Sequence, residues 1–97
     1  MAVSLSTHVL DTGQGTPARG VHVELFREAE RVGSATTDED GRIGELAAGL
    51  DAGRYRLVFH PSSEYFRRVE LELELGEGHH HVPLLVSPYQ CTIYRGS

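Results

Sequence analysis

Three consecutive histidines, at positions 79–81, come directly before an apolar run in the last quarter of the chain. Imidazole suits proton transfer, because its ordinary pKa of about 6.5 lies close to the pH at which most enzymes work. If these residues lie on a strand, successive side chains point to opposite faces, so only His79 and His81 share a face. That pair could hold a metal ion with a third ligand such as His8, but no second spaced pair of histidines or cysteines supports this alternative. The sequence therefore favours proton transfer over a metal site.

All nine positively charged side chains are arginines, and the chain contains no lysine. This excludes Schiff-base chemistry, which requires a lysine amine, and a metal bridge built on a carbamylated lysine. Guanidinium instead offers a rigid fork of donors that suits a planar anion. The formal net charge of −5 argues against nucleic acid or an anionic membrane as a partner.

The chain has 97 residues, which is enough for one hydrophobic core, so a single domain over residues 1–97 is expected. Its one cysteine, Cys91, cannot form an intramolecular disulfide and suits a reducing compartment. The first ten residues lack the basic segment and long apolar core of a signal peptide. A cytoplasmic location is the expectation.

Apolar and polar residues alternate along most of the chain with the period of two that is typical of β-strands. In residues 2–11, Ser4, Ser6 and His8 face the side opposite to the apolar residues. Further strands are predicted at 21–26, 32–37, 54–59 and 69–75, with a short edge strand at 43–46. No segment has a convincing helical period, so the pattern predicts an all-β sandwich of seven to eight strands.

The tail is predicted to form a hairpin that ends the chain. Residues 82–86 are typical of a buried strand, Ser87 and Pro88 of a turn, and residues 91–94 of a returning strand. The run 79–85 has the pattern H-x-H-x-P-L-L, and the chain closes on Y-R-G-S at 94–97.

These two motifs, at this distance from each other, resemble those of the 5-hydroxyisourate hydrolases, the transthyretin-related enzymes of urate breakdown. Two further segments share the resemblance, H-V-L-D-T at 8–12 and T-x-x-D-G-R, which ends at Arg42. The rhythm of the remaining strands resembles prealbumin-like sandwiches in general, including modules that are not enzymes, and so bears on the fold rather than on the chemistry.

The resemblance implies a prealbumin/transthyretin-like fold and a homotetramer whose sites straddle a subunit interface. It implies hydrolysis of the cyclic amide of a small molecule, 5-hydroxyisourate, to 2-oxo-4-hydroxy-4-carboxy-5-ureidoimidazoline without a cofactor. Relatives carry a short helix in the connection that follows the 54–59 strand. Here that connection shrinks to about residues 60–65, so the helix is expected to be absent.

The resemblance also implies the site residues. His8 and His81 would orient and deprotonate the water, and either could be the general base. Arg42 would hold and polarise the substrate, to which His8 would also bind. Tyr94 would contact the substrate and Ser97 would complete the pocket through its hydroxyl, amide or carboxylate.

Other functions and roles remain open at this point. A transthyretin-like carrier would need an apolar channel and no histidine pair, and a structural module of the adhesin type would need no tetramer. Arg42 could instead be a turn residue that balances Asp38 and Asp40. His22 and His60 are interpreted as surface groups. Cys91, where an aromatic residue is common in relatives, is expected to be buried and inert.

Overall fold

The protein, described here by a computed structural model that covers residues 2–96, consists of two β-sheets packed face to face. Within these residues there are ten strands and no helix, so the predicted β-sandwich and the loss of the short helix are confirmed, whereas the predicted number of seven to eight strands is too low. The strands, in chain order, are β1 (Val3–Asp11), β2 (Thr16–Pro17), β3 (His22–Arg27), β4 (Glu30–Thr36), β5 (Arg42–Leu50), β6 (Gly53–His60), β7 (Val69–Leu75), β8 (Gly78–His81), β9 (Leu84–Val86) and β10 (Cys91–Ile93). No helix in the described chain is therefore available to cross a membrane.

Strand β1 is the centre of the first sheet. Its first half pairs antiparallel with β5 on one side and parallel with β8 on the other. Its second half pairs with β2 and with β9, and β10 adds to the outer side of β9. The second sheet is entirely antiparallel, in the order β4-β3-β6-β7. One strand therefore carries neighbours from the middle and from the end of the chain.

The core between the sheets is built from the apolar residues that alternate along the strands. It includes Val3, Leu5 and Val9 of β1, Val23 and Leu25 of β3, Tyr55, Leu57 and Phe59 of β6, and Leu84 and Val86 of β9. Burying each such side chain contributes about 1.5–3 kcal/mol relative to leaving it in water. Because period two sends the intervening residues outward, the same strands leave polar side chains on the outer face of the first sheet.

The tail differs from its prediction at one place, because the strand expected at 82–86 does not begin at Val82. Strand β8 ends at His81, and β9 begins only at Leu84. Pro83 has no N–H to donate to a ladder, which interrupts the strand. The Val82 N–H still donates to the carbonyl of Ser6 at 3.0 Å, so both halves remain beside β1. The returning strand forms as β10.

The strand predicted at 43–46 is longer than expected. Strand β5 runs for nine residues, from Arg42 to Leu50, because it pairs along β1 through two irregularities in register. This pairing joins residues 34 (His8 and Arg42) to 47 (Val3 and Leu50) positions apart, which local sequence patterns do not reveal. As a result Arg42, expected in a turn, is the first residue of a strand and lies directly opposite His8.

Candidate active site

Three neighbouring strands bring the predicted site residues His8, Arg42 and His81 to one face of the first sheet. His8 of β1 lies opposite Arg42 of β5. On the other side of β1, His81 of β8 lies opposite Ser6. Ser6 and His8 are two positions apart on the same strand, so their side chains share a face.

A surface cavity of about 270 Å³ lies at this meeting point. It is lined by Ser6, Thr7, Arg42, Ile43, Gly44, His79 and His81. Two other grooves, of about 540 and 620 Å³, have no histidine in their walls. Since the larger grooves lack a group that can accept a proton near neutral pH, the smaller cavity is the one suited to acid–base chemistry.

The turn before β5 holds Arg42 and His8 in place. One carboxylate oxygen of Asp38 accepts the backbone N–H groups of Asp40 and Arg42, each at 2.9 Å. The N–H of Arg42, together with that of Asp40 and the nearby positive groups, lowers the pKa of the Asp38 carboxyl. Gly41 adopts a φ of 74°, which favours glycine, and its carbonyl accepts the N–H of Val9 at 2.7 Å.

The same turn fixes the His8 ring, because Nε2 of His8 donates to the carbonyl of Asp40 at 2.9 Å. The geometry does not favour the alternative in which Arg42 balances the carboxylates of Asp38 and Asp40. Within the described chain, Arg42 forms no ion pair with Asp38 or Asp40, and Arg42 is one of the residues that line the cavity.

The His81 ring is held on two sides. Its Nδ1 hydrogen-bonds to the hydroxyl of Ser6 at 2.8 Å, and the chain end returns beside it, with the N–H of Gly96 donating to the His81 carbonyl at 2.7 Å. Partial burial lowers the pKa of His81, and the positive groups His8, His79 and Arg42 lower it further. His81 is therefore largely neutral at physiological pH, in the form that can accept a proton.

The three consecutive histidines have three different environments. His79 is exposed and hydrogen-bonds through both ring nitrogens, to Ser4 at 2.7 Å and to Ser6 at 2.8 Å. His80 points to the opposite face, where it is 8% exposed and donates from Nε2 to the carbonyl of Gly76 at 2.8 Å. The expected alternation of side chains is thus present. No group of three His, Cys, Asp or Glu side chains in residues 2–96 is arranged to hold a metal ion.

Tyr94, the last predicted site residue within the described chain, does not lie at the cavity. Tyr94 is half exposed and is not among the residues that line the cavity. Ser97 lies outside the described residues, so its predicted role stays a prediction. Cys91, expected to be buried, is only half-buried against the core, where burial raises the pKa of its thiol.

Ser6 and Gly96 were not predicted as site residues, and His79 was considered only as a possible metal ligand. Their signals were the alternation of Ser4, Ser6 and His8 and the short distance of Gly96 from the chain end. Neither signal indicates that β8 runs parallel to β1 with Ser6 opposite His81.

His22 and His60 lie at the surface of the second sheet, as expected, but they are not isolated. Their rings stack with centroids 5.7 Å apart, and Nε2 of His60 donates to the Glu24 carboxylate at 2.7 Å. The hydrogen bond from His60 lowers the pKa of Glu24, with Arg31 adding to the effect at 3.3 Å. This cluster joins β3 to its neighbours and lies on the sheet that does not carry the cavity.

The chain is similar over its whole length to proteins of known activity. 5-Hydroxyisourate hydrolase 2 of Rhizobium meliloti is 40% identical, with 96% of this chain and 95% of that protein covered. The 5-hydroxyisourate hydrolase of Pseudomonas aeruginosa is 35% identical, with 96% and 90% covered. The model of the HIUase/Transthyretin family matches residues 5–96 of this chain.

Solved structures give the same result. The 5-hydroxyisourate hydrolase of Klebsiella pneumoniae superposes with a TM-score of 0.89 at 41% identity, covering 98% of this chain and 99% of that one. The transthyretin of Sparus aurata superposes with a TM-score of 0.84 at 25% identity, with 95% of each chain covered. The family whose motifs the sequence resembles is thereby confirmed, and the chain belongs to the HIUase/Transthyretin family.

Proposed function

We propose that the protein is a hydrolase of 5-hydroxyisourate, whose cyclic amide it opens to give 2-oxo-4-hydroxy-4-carboxy-5-ureidoimidazoline in urate degradation. One observation carries this proposal: the cavity that contains Arg42 and a largely neutral His81, with His8 beside them. Full-length relatives named 5-hydroxyisourate hydrolase support it. The substrate is a small molecule, and a chain with net charge −5 is poorly suited to nucleic acid or anionic membranes.

His81 is the general base in this proposal. Its Nδ1 is engaged by Ser6, so Nε2 is the nitrogen left to accept a proton from water. The resulting hydroxide adds to the amide carbonyl, and the carbon–nitrogen bond breaks as the departing nitrogen receives the proton that Nε2 of His81 took from water. A correctly placed base of this kind contributes about 10²–10⁴-fold to the rate.

Arg42 and His8 contact the substrate in this proposal. The guanidinium of Arg42 donates to the carbonyl oxygen as negative charge develops there in the transition state. His8 is anchored by the Asp40 carbonyl, so it presents its other ring nitrogen to the substrate. Tyr94, which does not line the cavity of the single chain, keeps its predicted role as a substrate contact, Ser97 keeps its predicted role in completing the pocket, and no cofactor takes part.

The working form is a homotetramer in which a second protomer closes each cavity. Two features support this arrangement. The cavity lies on the outer face of a sheet rather than in a deep cleft, and one side of both β7 and β10 has no partner strand within residues 2–96. Sedimentation or native mass spectrometry should give about four times the chain mass of 10.7 kDa.

The decisive experiment generates 5-hydroxyisourate from urate with urate oxidase, adds the EDTA-treated protein, and follows the ultraviolet decay of the substrate. Accelerated decay that survives chelation is the expected result. Unchanged decay with a folded tetramer would reject the hydrolase and favour a small-ligand carrier. Unchanged decay with a folded monomer would favour a structural module.

A further inference from the structure

The Ser6 hydroxyl bridges two imidazole rings that differ in their access to water. It lies 2.8 Å from Nδ1 of His81 and 2.8 Å from Nε2 of His79. The other nitrogen of His79, Nδ1, is 2.7 Å from the hydroxyl of Ser4. A continuous chain of hydrogen bonds thus runs from half-buried His81 to exposed His79 and ends on half-buried Ser4.

Proton counting leaves this chain two arrangements. Ser6 has one proton to donate, and each neutral imidazole carries one proton on two nitrogens. In the first arrangement, His81 Nδ1–H donates to Ser6, Ser6 donates to His79 Nε2, and His79 Nδ1–H donates to Ser4. In the second, every donor is reversed. Only the first leaves Nε2 of His81 unprotonated and able to act as a base.

We propose that Ser6 and His79 form a proton relay that sets the tautomer of His81 and moves the positive charge, which forms when water is deprotonated, from His81 to His79 until the substrate ring opens. Both are positioning residues, since they act through His81. The inference rests on the proposed role of His81 as the base.

The relay step consists only of proton transfers and needs no oxidant or reductant. When Nε2 of His81 takes a proton from water, the Nδ1 proton moves to Ser6 and the Ser6 proton moves to Nε2 of His79. His81 is again neutral, in its other tautomer, and His79 carries the positive charge. When the carbon–nitrogen bond breaks, Nε2 of His81 gives its proton to the departing nitrogen, and the relay protons return from His79 to Ser6 and from Ser6 to Nδ1 of His81. The first arrangement is thereby restored, and the carboxylic acid formed by ring opening releases one net proton to water.

The surroundings favour this direction of transfer. The groups that act on the charge of His81 from the adjacent strands are His8 on β1, Arg42 on β5 and His79 on its own strand, and each disfavours a cation. His79 is exposed, so water solvates the positive charge there at lower cost. A charge left on His81 would instead remain half-buried beside Arg42.

The first test separates a relay from simple support of the ring. Ser6→Ala should lower kcat by about tenfold to a hundredfold with little change in KM, and Ser6→Thr, which keeps the hydroxyl, should recover most of the loss. His79→Ala should lower kcat by about tenfold, and added imidazole buffer should restore it. His22→Gln, on the other sheet, is the control and should match the wild type.

The second test does not depend on activity. Nitrogen-15 NMR of the imidazoles should show His81 protonated at Nδ1 in the resting protein, and Ser6→Ala should produce a mixture of tautomers. Wild-type kcat in both Ser6→Ala and His79→Ala, or no rescue of His79→Ala by imidazole, would overturn the relay. A fully active His81→Ala variant would instead reject the proposed role of His81 as the base, even with the tautomer shift present in Ser6→Ala.

Discussion

Gly96 lies against the imidazole ring of His81 so closely that no side chain fits between them. A β-carbon built on Gly96 would stand 2.6 Å from Cδ2 and 3.3 Å from Cγ of that ring. On its opposite edge the ring hydrogen-bonds to Ser6. Gly96 therefore helps to set the position of the proposed base, and this close approach explains physically why so small a residue lies beside the site.

Gly96→Ala should therefore reduce kcat/KM by about tenfold or more, because a displacement of about 1 Å at a catalytic group costs up to 10²-fold. The fold should survive, since the change lies at the end of the chain. Gly76→Ala is the matched control, because a β-carbon there meets nothing within 4 Å. Steady-state kinetics with circular dichroism would check both, and equal activity of the two variants would contradict the expected contact.

His81→Ala should lower turnover by about 10²–10⁴-fold, since it removes the group that accepts the proton. The oligomer should persist, because the His81 carbonyl and the Gly96 N–H, which hold the chain end beside β8, belong to the backbone and remain in the variant. Ultraviolet assays and sedimentation would measure the two properties separately. Retention of wild-type turnover would show that another group is the base.

The acidic limb of the pH–rate profile should have its inflection below 6.5, because burial and the neighbouring positive groups lower the pKa of His81. The unfolded chain then binds more protons than the folded one just below pH 6.5, so the contribution of His81 to stability improves as pH rises to that value and is constant above it.

Replacing His8 by Gln removes one of these positive groups and should raise the pKa of His81, though burial should still keep it below the ordinary value. Proton NMR titration of the His81 ring would measure this without requiring activity. The remote His22→Gln variant should leave the titration unchanged, and a His81 midpoint above 6.5 in the wild type would contradict the argument.

Thr37 should be the more important of two adjacent threonines for stability. Its buried hydroxyl accepts the N–H of Val21 at 2.8 Å and donates to the carbonyl of Ala18 at 2.7 Å. Thr37→Val leaves the Val21 N–H and the Ala18 carbonyl without their hydroxyl partner, and should reduce the free energy of unfolding by about 2–4 kcal/mol.

Thr36→Val is the control, because the exposed hydroxyl of Thr36 makes only a 3.5 Å contact with His22. Its effect should stay within about 0.5 kcal/mol, as for most surface substitutions. Chemical denaturation of both variants at equal protein concentration would provide the comparison. Equal losses of stability would show that the Thr37 hydrogen bonds contribute little.

Most of the fold could be predicted from the sequence, because alternation with period two is a local signal. The apolar residues of β1, β3 and β6 are the buried ones, and the run 60–65 is too short for an added helix. The length of β5 and the break at Pro83 were not foreseen. The first depends on pairing with a distant strand, and the second on how the chain turns between two parallel pairings with β1.

The site residues also fall into those that the sequence predicted and those that only the structure revealed. Motifs alone identified His8, Arg42 and His81, since residue type and spacing within a short segment are visible in a sequence. The roles of Ser6, His79 and Gly96 depended on the tertiary structure, because they arise from contacts between residues 73–75 positions apart and from the return of the chain end beside His81. The sequence by itself determined which chemical groups the protein has and which face of each strand they occupy. Only the packing of β5 and β8 on either side of β1 decided which groups meet, because strand register is set by non-local hydrogen bonds and core packing.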